Sequence, residues 1–320
     1  MRIENLKRQT IALFLLIFSL IFLSGIARAK EKLSFIQRFS IKMSSGSGYF
    51  KTGDINVHLE SGNEMHSDYA QYFNGLKKGD LKKIEFGSDS GIELRFDVSS
   101  WFGIYFTSGY FYTRRESSSG FEISLPEFFL PEFFNVDLTF SPRISIRTIP
   151  LESGASLFLP FGQKAKIFLN VGIGYYFAKV NYYWEEREIW TRKDGSLFTD
   201  ITEMAEWNLS SRGSGYHGRI GFEYTIGKNL ALVFEVQGRS ARLKKLEGTE
   251  IFLGTGYSES FYGSVYYYEK KNPVTEKYYI GLGFFKERPD FPSPDYRNIR
   301  DAELDLSGYS FKIGIRIRLF

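Results

Sequence analysis

Cysteine is missing altogether from these 320 residues. That excludes disulfides, zinc–thiolate sites, thiol catalysis and a lipid anchor on an N-terminal cysteine. Proline is sparse, at 9, and histidine sparser still, at 3, so imidazole-based proton transfer has few residues to work with. Long apolar runs are nearly absent too. The stretch Ile11–Leu23, broken only by Ser19, is the one that stands out, and no later segment approaches 18 uninterrupted apolar residues. Spanning a bilayer by helix is thereby excluded for the rest of the chain. Closed strand barrels are the other way to satisfy a backbone in lipid. A strong charge of one sign is also lacking. The formal net charge is +4, but Arg2, Lys7, Arg8 and Arg28 against Glu4 put +3 of it in the first 29 residues, leaving +1. No nucleic-acid partner is expected from so balanced a chain.

The N-terminus carries a targeting segment. A positive start (Arg2, Lys7, Arg8), the apolar run and the small-x-small site Ala27-Arg28-Ala29 form the three parts of a secretory signal. Residues 1–29 are therefore expected to be cleaved, with 30–320 as one exported domain. The run Ile11–Ile26, at 16 residues, is short of the ~20 that a membrane-spanning helix needs.

What the chain has in abundance is Phe and Tyr, 32 and 21 residues, and an alternation of period two. Phe39, Ile41 and Met43 alternate with Arg38, Ser40 and Lys42. Ile92, Leu94, Phe96 and Val98 oppose Glu93, Arg95 and Asp97, and Phe102, Ile104, Phe106, Tyr110 and Tyr112 form a third apolar face. A fourth segment changes phase: Val136, Leu138, Phe140, Ile144 and Ile146 are even-numbered, whereas Leu151, Ala155, Leu157 and Leu159 are odd. A slip beside Pro150 predicts a β-bulge. Ile167–Phe177, Ile220–Ile226, Leu230–Val236 and Tyr309–Leu319 complete eight strands, each near the 9–11 residues that a tilted strand needs to cross a bilayer. Connections after the second, fourth and sixth are a few residues long. Those near 45–90, 114–135, 184–214 and 242–304 span tens of residues. This predicts a closed antiparallel up-and-down transmembrane β-barrel with short turns on one side and long loops on the other. Ten strands would follow if the tyrosine-rich Tyr266–Tyr268 and Tyr278–Ile280 hairpin entered lipid; Glu269-Lys270-Lys271-Asn272 argues that it stays above.

The polarity of the faces sets this pattern apart from a soluble barrel. One face is large, apolar and nearly free of charge, and an eight-stranded interior has no room for so many aromatics. Turned outward, that face becomes a lipid-facing band. The opposite faces then bring Glu93, Asp97, Glu223 and Glu235 inside with Arg38, Lys42, Arg95, Arg219, Arg239, Lys312, Arg316 and Arg318, eight bases to four acids. Two readings follow: an ion-pair network that satisfies buried charge, or a narrow anion-favouring path, with Gly103, Gly109, Gly172, Gly174, Gly221 and Gly314 leaving room.

Catalytic candidates are few. His217 lies near Ser214, but a nucleophile also needs an orienting third group. Gly46-Ser47-Gly48 and Gly213-Ser214-Gly215 lack the strand–turn–helix setting of a nucleophile elbow. His58 and His66 fall among ordinary polar residues. A non-enzymatic protein without cofactor or metal is expected. In the first loop, Met65, Tyr69, Tyr72, Phe73 and Leu76 recur at helical spacing, with Ser61 or Asn63 as cap, predicting a short helix on the barrel mouth. The second loop holds the near repeat Pro126–Phe134, whose phenylalanines need a surface to pack on.

The signal segment, the alternating strands and the final Gly314-Ile315-Arg316-Ile317-Arg318-Leu319-Phe320 together resemble the small bacterial outer-membrane β-barrel family of the OmpA-transmembrane and OmpW-like kind. The resemblance covers nearly all of residues 30–320. It implies an outer-membrane location and outer-membrane lipid as surroundings. It also implies recognition by the barrel-assembly machinery through Gly314, Leu319 and Phe320. In the family the terminal aromatic shares the outward face; here Leu319 does, and Phe320 is one position out of phase. The expected role is structural or surface-interacting through the aromatic-rich loops. The alternative implied by the resemblance is an OmpW-like conduit for small apolar or anionic solutes, with an apolar ligand or a surface partner met at the loops.

Overall fold

The computed structural model describes residues 38–125, 134–254, 257–291 and 293–319. The signal segment, residues 126–133 of the phenylalanine repeat, and Phe320 lie outside the described residues. The described chain is all-β with one helix. In order it runs β1 (Phe39–Phe50), α1 (Asp54–Tyr72), β2 (Leu76–Asp80), β3 (Phe86–Asp97), β4 (Phe102–Glu116), β5 (Ser118–Leu125), β6 (Phe134–Phe161) and β7 (Ala165–Arg192). There follow β8 (Leu197–Thr225), β9 (Leu230–Lys244), β10 (Glu247–Gly254), β11 (Tyr257–Lys271), β12 (Tyr278–Phe285), β13 (Tyr296–Asp301), β14 (Glu303–Asp305) and β15 (Gly308–Arg318).

The period-two segments form the backbone of one antiparallel sheet. β1 pairs with β3, β3 with β4, β4 with β6, β6 with β7, β7 with β8, β8 with β9, and β9 with β15. β15 pairs in turn with β1, from Ser40 opposite Arg318 to Phe50 opposite Gly308, so the path of pairings returns to its first strand. Tight turns join β3 to β4, β6 to β7 and β8 to β9. Gly162 takes φ 75° in the second of these, a left-handed conformation that favours glycine.

Beyond the eight strands on that path, the sheet has seven more among the described residues. The additional ones come from segments expected as loops. β6, β7 and β8 run 28, 28 and 29 residues, more than twice what a membrane crossing needs. The 184–214 connection is therefore the upper part of a hairpin that turns at Gly195. β10 to β14 fill most of the 242–304 region. β11 and β12 pair as the tyrosine-rich hairpin.

No bulge accompanies the phase change in β6. Its register with β7 is unbroken from Phe134 opposite Arg192 to Phe161 opposite Ala165. Even-numbered residues point inward along the whole strand. Thr148, Glu152 and Ser156 are buried in the lower part, Ile144 and Ile146 in the upper. What inverts is the polarity of each face. Below, the outward side is apolar (Ile149 and Leu151 exposed) and the inner side polar; above, Arg147 and Arg143 face out and the apolar residues face in. β7 repeats this: Ile173, Tyr175 and Phe177 are exposed, then Lys179, while inside Asn170 gives way to Ala178, Val180 and Tyr182.

The upper interior holds an apolar core. Ile144, Ile146, Val180, Tyr182, Trp207, Leu209 and Leu243 close on Ile55 and Leu59 of α1. The helix begins well before the expected start. Asp54 opens it after Thr52 (φ 55°) and Gly53 (φ 63°), and a Cβ on Gly53 would run into the backbone of Glu303 and Asp305. Ser61 and Asn63 do not cap it. Ser61 Oγ accepts the Ile280 N–H (2.7 Å), and Asn63 exchanges two 2.7 Å bonds with the Leu81 backbone. Asn56 does the same for Ile84, donating at 2.9 Å and accepting at 2.8 Å. Of the expected stripe, Met65, Tyr69 and Phe73 are partly buried, but Tyr72 and Leu76 are exposed.

Candidate functional site

Alternation places one polar group every second residue on the inner face of each strand, and cross-strand register decides who meets whom. Glu93 of β3 receives Arg219 of β8 (2.8 Å), Arg316 of β15 (2.8 Å) and Lys42 of β1 (3.0 Å). Lys42 also reaches Glu235 of β9 at 2.5 Å. Glu223 of β8 gathers Lys166 (3.0 Å), Arg316 (3.1 Å) and Arg95 (3.4 Å), and Arg95 continues to Asp97 at 2.8 Å. Asp89 joins Lys312 (2.7 Å) to Arg239 (2.9 Å). Of the twelve residues expected inside, ten are thus brought together.

Two of the most connected members were not foreseen. Glu152 pairs with Arg219, accepts from Gln237 (3.0 Å) and from the Tyr176 hydroxyl (3.1 Å), and lies 3.9 Å from His217. Alternation with the outward Leu151 and Leu157 already sets Glu152 on the inner face; the slip expected at Pro150 misplaces Ile144 and Ile146 instead, which are buried. Asp89 lies in the 45–90 stretch expected as a loop, into which β3 extends from Phe86. Arg38 and Arg318 fall at the rim instead, Arg38 on the Val98 carbonyl (3.2 Å) and Arg318 4.0 Å from Glu223. The interior tally is then Lys42, Arg95, Lys166, Arg219, Arg239, Lys312 and Arg316 against Asp89, Glu93, Asp97, Glu152, Glu223 and Glu235. The twofold excess of bases reduces to near balance.

The glycines leave less room than expected. A Cβ on Gly154 or Gly172 would meet the Tyr105 hydroxyl, one on Gly174 the Tyr176 ring, one on Gly221 the Phe168 ring. Aromatic side chains already fill the space these glycines open. Above the charges, the Phe50 and Phe111 rings touch at 3.8 Å between centroids and both are buried.

His217 belongs to this interior. Its Nε2 is 2.6 Å from the Tyr105 hydroxyl. Ser214 is three residues away on the same strand, hence on the opposite face, and is exposed. The histidine–serine pair is not formed. Gly314 is buried within β15, and Leu319 N–H donates to the Phe39 carbonyl (2.9 Å), tying the last described residue to the first strand.

A second polar cluster anchors α1. Asp54 takes a bidentate pair from Arg300 (2.6 and 2.7 Å), favourable at a helix N-terminus. His58 Nδ1 lies 3.1 Å from the Ile280 carbonyl, and His66 Nδ1 3.0 Å from Ser119 Oγ. Burial lowers both imidazoles, His66 to about 4. At the other end Asp68 accepts from Lys277 (2.8 Å) and Tyr279 (2.6 Å). The histidines expected among ordinary polar residues are thus docking contacts. Beside His66, α1 and β5–β7 enclose a cavity of ≈ 340 Å³ walled by Tyr69, Phe121 and Trp190, with Glu186 and Glu188 at one side. Burial raises the Glu186 carboxyl, and Glu188 and Glu203 nearby add to it.

No family model matches the chain, and no curated protein matches it. Among solved structures it is similar to the outer membrane protein OprG from Pseudomonas aeruginosa, at 9% identity and a TM-score of 0.35, covering 88% of this chain and 98% of that one. It is also similar to the outer membrane protease OmpT from Escherichia coli, at 9% identity and a TM-score of 0.25, covering 90% and 99%. Likenesses this weak carry neither an activity nor a family to this chain.

Proposed function

We propose that this chain is an exported, closed eight-stranded β-barrel of a bacterial outer membrane with a filled interior, acting through its upper half rather than as a conduit. The observation that carries this reading is the inversion of faces. Strands with unbroken register are apolar outside and charged inside over one band, then charged outside and apolar inside above it. Lipid around the lower band and water around the upper one produce that pattern. The return of the pairings to β1 supports closure, since a sheet in lipid can leave no edge. Near balance of interior charge, with aromatics in the glycine spaces and α1 above, favours the structural or surface role over the conduit.

The test is refolding of residues 30–320 into detergent, followed by electrophoresis with and without boiling and by single-channel recording. A band that shifts on heating, with no conductance across a wide voltage range, is the expected outcome. A water-soluble chain without the shift would remove the barrel reading. Steady anion-selective steps, lost when Arg239 and Arg316 are neutralised, would replace the filled scaffold with the conduit.

A further inference from the structure

Just above the outward apolar band, three neighbouring strands present cations that have no carboxylate to pair with among the described residues. Arg147 of β6 stands directly opposite Lys179 of β7. Arg212 of β8 stands opposite Phe177, one diagonal step from Lys179. All three side chains are exposed, and among the described residues none has a carboxylate within ion-pairing distance. Like charges directly opposite on a sheet repel, so the arrangement is incomplete without an anion. The row continues to Tyr112 of β4, opposite Arg147, whose guanidinium lies 5.9 Å from the tyrosine ring centroid. A groove of ≈ 390 Å³ opens above Tyr112 and Arg147, its upper end bordered by Arg114, Arg143 and Glu206. Arg114 and Arg143 share the single carboxylate of Glu116, Arg143 at 3.1 Å; Arg147, Lys179 and Arg212 have none.

Directly beneath, the same strands expose Ile149, Phe177 and Tyr175. A cationic rim fused to an apolar slope fits a molecule with a phosphate head and acyl chains. We infer that Arg147, Lys179 and Arg212 bind the phosphate of an anionic outer-leaflet lipid, with its chains lying along Ile149 and Phe177. This rests on the membrane reading above. The lipid, not free phosphate, is the ligand because the charges sit at the edge of the apolar band and not over the open upper sheet.

The experiment adds lipid to the refolded, heat-modifiable protein and measures what it retains by native mass spectrometry. The probes are diphosphorylated lipid A, the same lipid with its phosphates removed, and inorganic phosphate. Retention of the phosphorylated lipid is expected, falling about tenfold or more in the Arg147→Gln/Lys179→Gln double variant, given roughly one basic residue's attraction lost twice. A Lys164→Gln/Lys228→Gln control at the opposite short turns loses the same charge and keeps the lipid. Equal retention by wild type and the Arg147/Lys179 variant overturns the inference, as does equal retention of the dephosphorylated lipid. Full competition by inorganic phosphate overturns it in favour of a free-anion site. A protein that never shows the heat shift fails the barrel reading first, before any lipid is added.

Discussion

Arg219 is the residue on which the interior turns. Its guanidinium joins Glu93 to Glu152 and accounts for the meeting of β3, β6 and β8 side chains at one point. A buried ion pair is weak evidence for net stability, because desolvation offsets much of the attraction. Removing one partner is a different matter. Arg219→Ala leaves two acids short of a base and is expected to cost about 3–5 kcal/mol. Arg38→Ala, which releases only a rim contact to a carbonyl, should change stability by no more than about 0.5 kcal/mol. Urea midpoints of the refolded variants in micelles measure both. Equal midpoints would mean that the interior charges are hydrated individually and do not form one network.

At the scale of the element, α1 shows how a helix can dock through polar contacts. Asp54, Asn56, Ser61 and His66 all lie on buried positions, each bonded to a different part of the surrounding sheet or loop. Its docking is therefore pH-sensitive. His66 titrates near 4 when folded and at its ordinary 6.5 when released, so the released state holds more protons between those values. Docking should be complete above about pH 6.5 and weaken as pH falls toward 4, by on the order of 2–3 kcal/mol. His58, lowered in the same direction, adds to this, while the raised Glu186 opposes it. Hydrogen exchange of residues 54–72 from pH 7 to 4.5 reads the effect. In His66→Asn the slope should flatten or reverse, and an unchanged slope would remove His66 as its source.

For the whole molecule, the long β6–β7–β8 hairpins and the short turns at Gly162 and Gly227 give the protein two unlike ends. A peptide tag inserted at Gly195, exposed at the tip of the β7–β8 hairpin, should be stained by antibody on intact cells. One inserted at Gly162 should be stained only after the envelope is opened. The reverse pattern would invert the orientation that the loop lengths imply.

The strand positions, the short turns and the outward apolar faces were legible in the residues, because alternation in a strand depends only on which side each neighbour points. Most of the inner charges followed from the same rule. The sequence stopped being readable where the polarity of the two faces inverts. Ile144 and Ile146 look out of phase with Leu151 only because the apolar residues of β6 face inward along one part of the strand and outward along the other. That inversion put Ile144 and Ile146 on the wrong face. The docking of α1 was hidden for a related reason: a buried face of Asp54, Asn56, Ser61 and His66 has no apolar signal, and its partners Leu81, Ile84, Ser119 and Ile280 lie far along the chain. The residues thus determined which side chains share a face. Only the tertiary structure decided what each face meets, because that depends on how high the strands rise and on partners far apart in sequence.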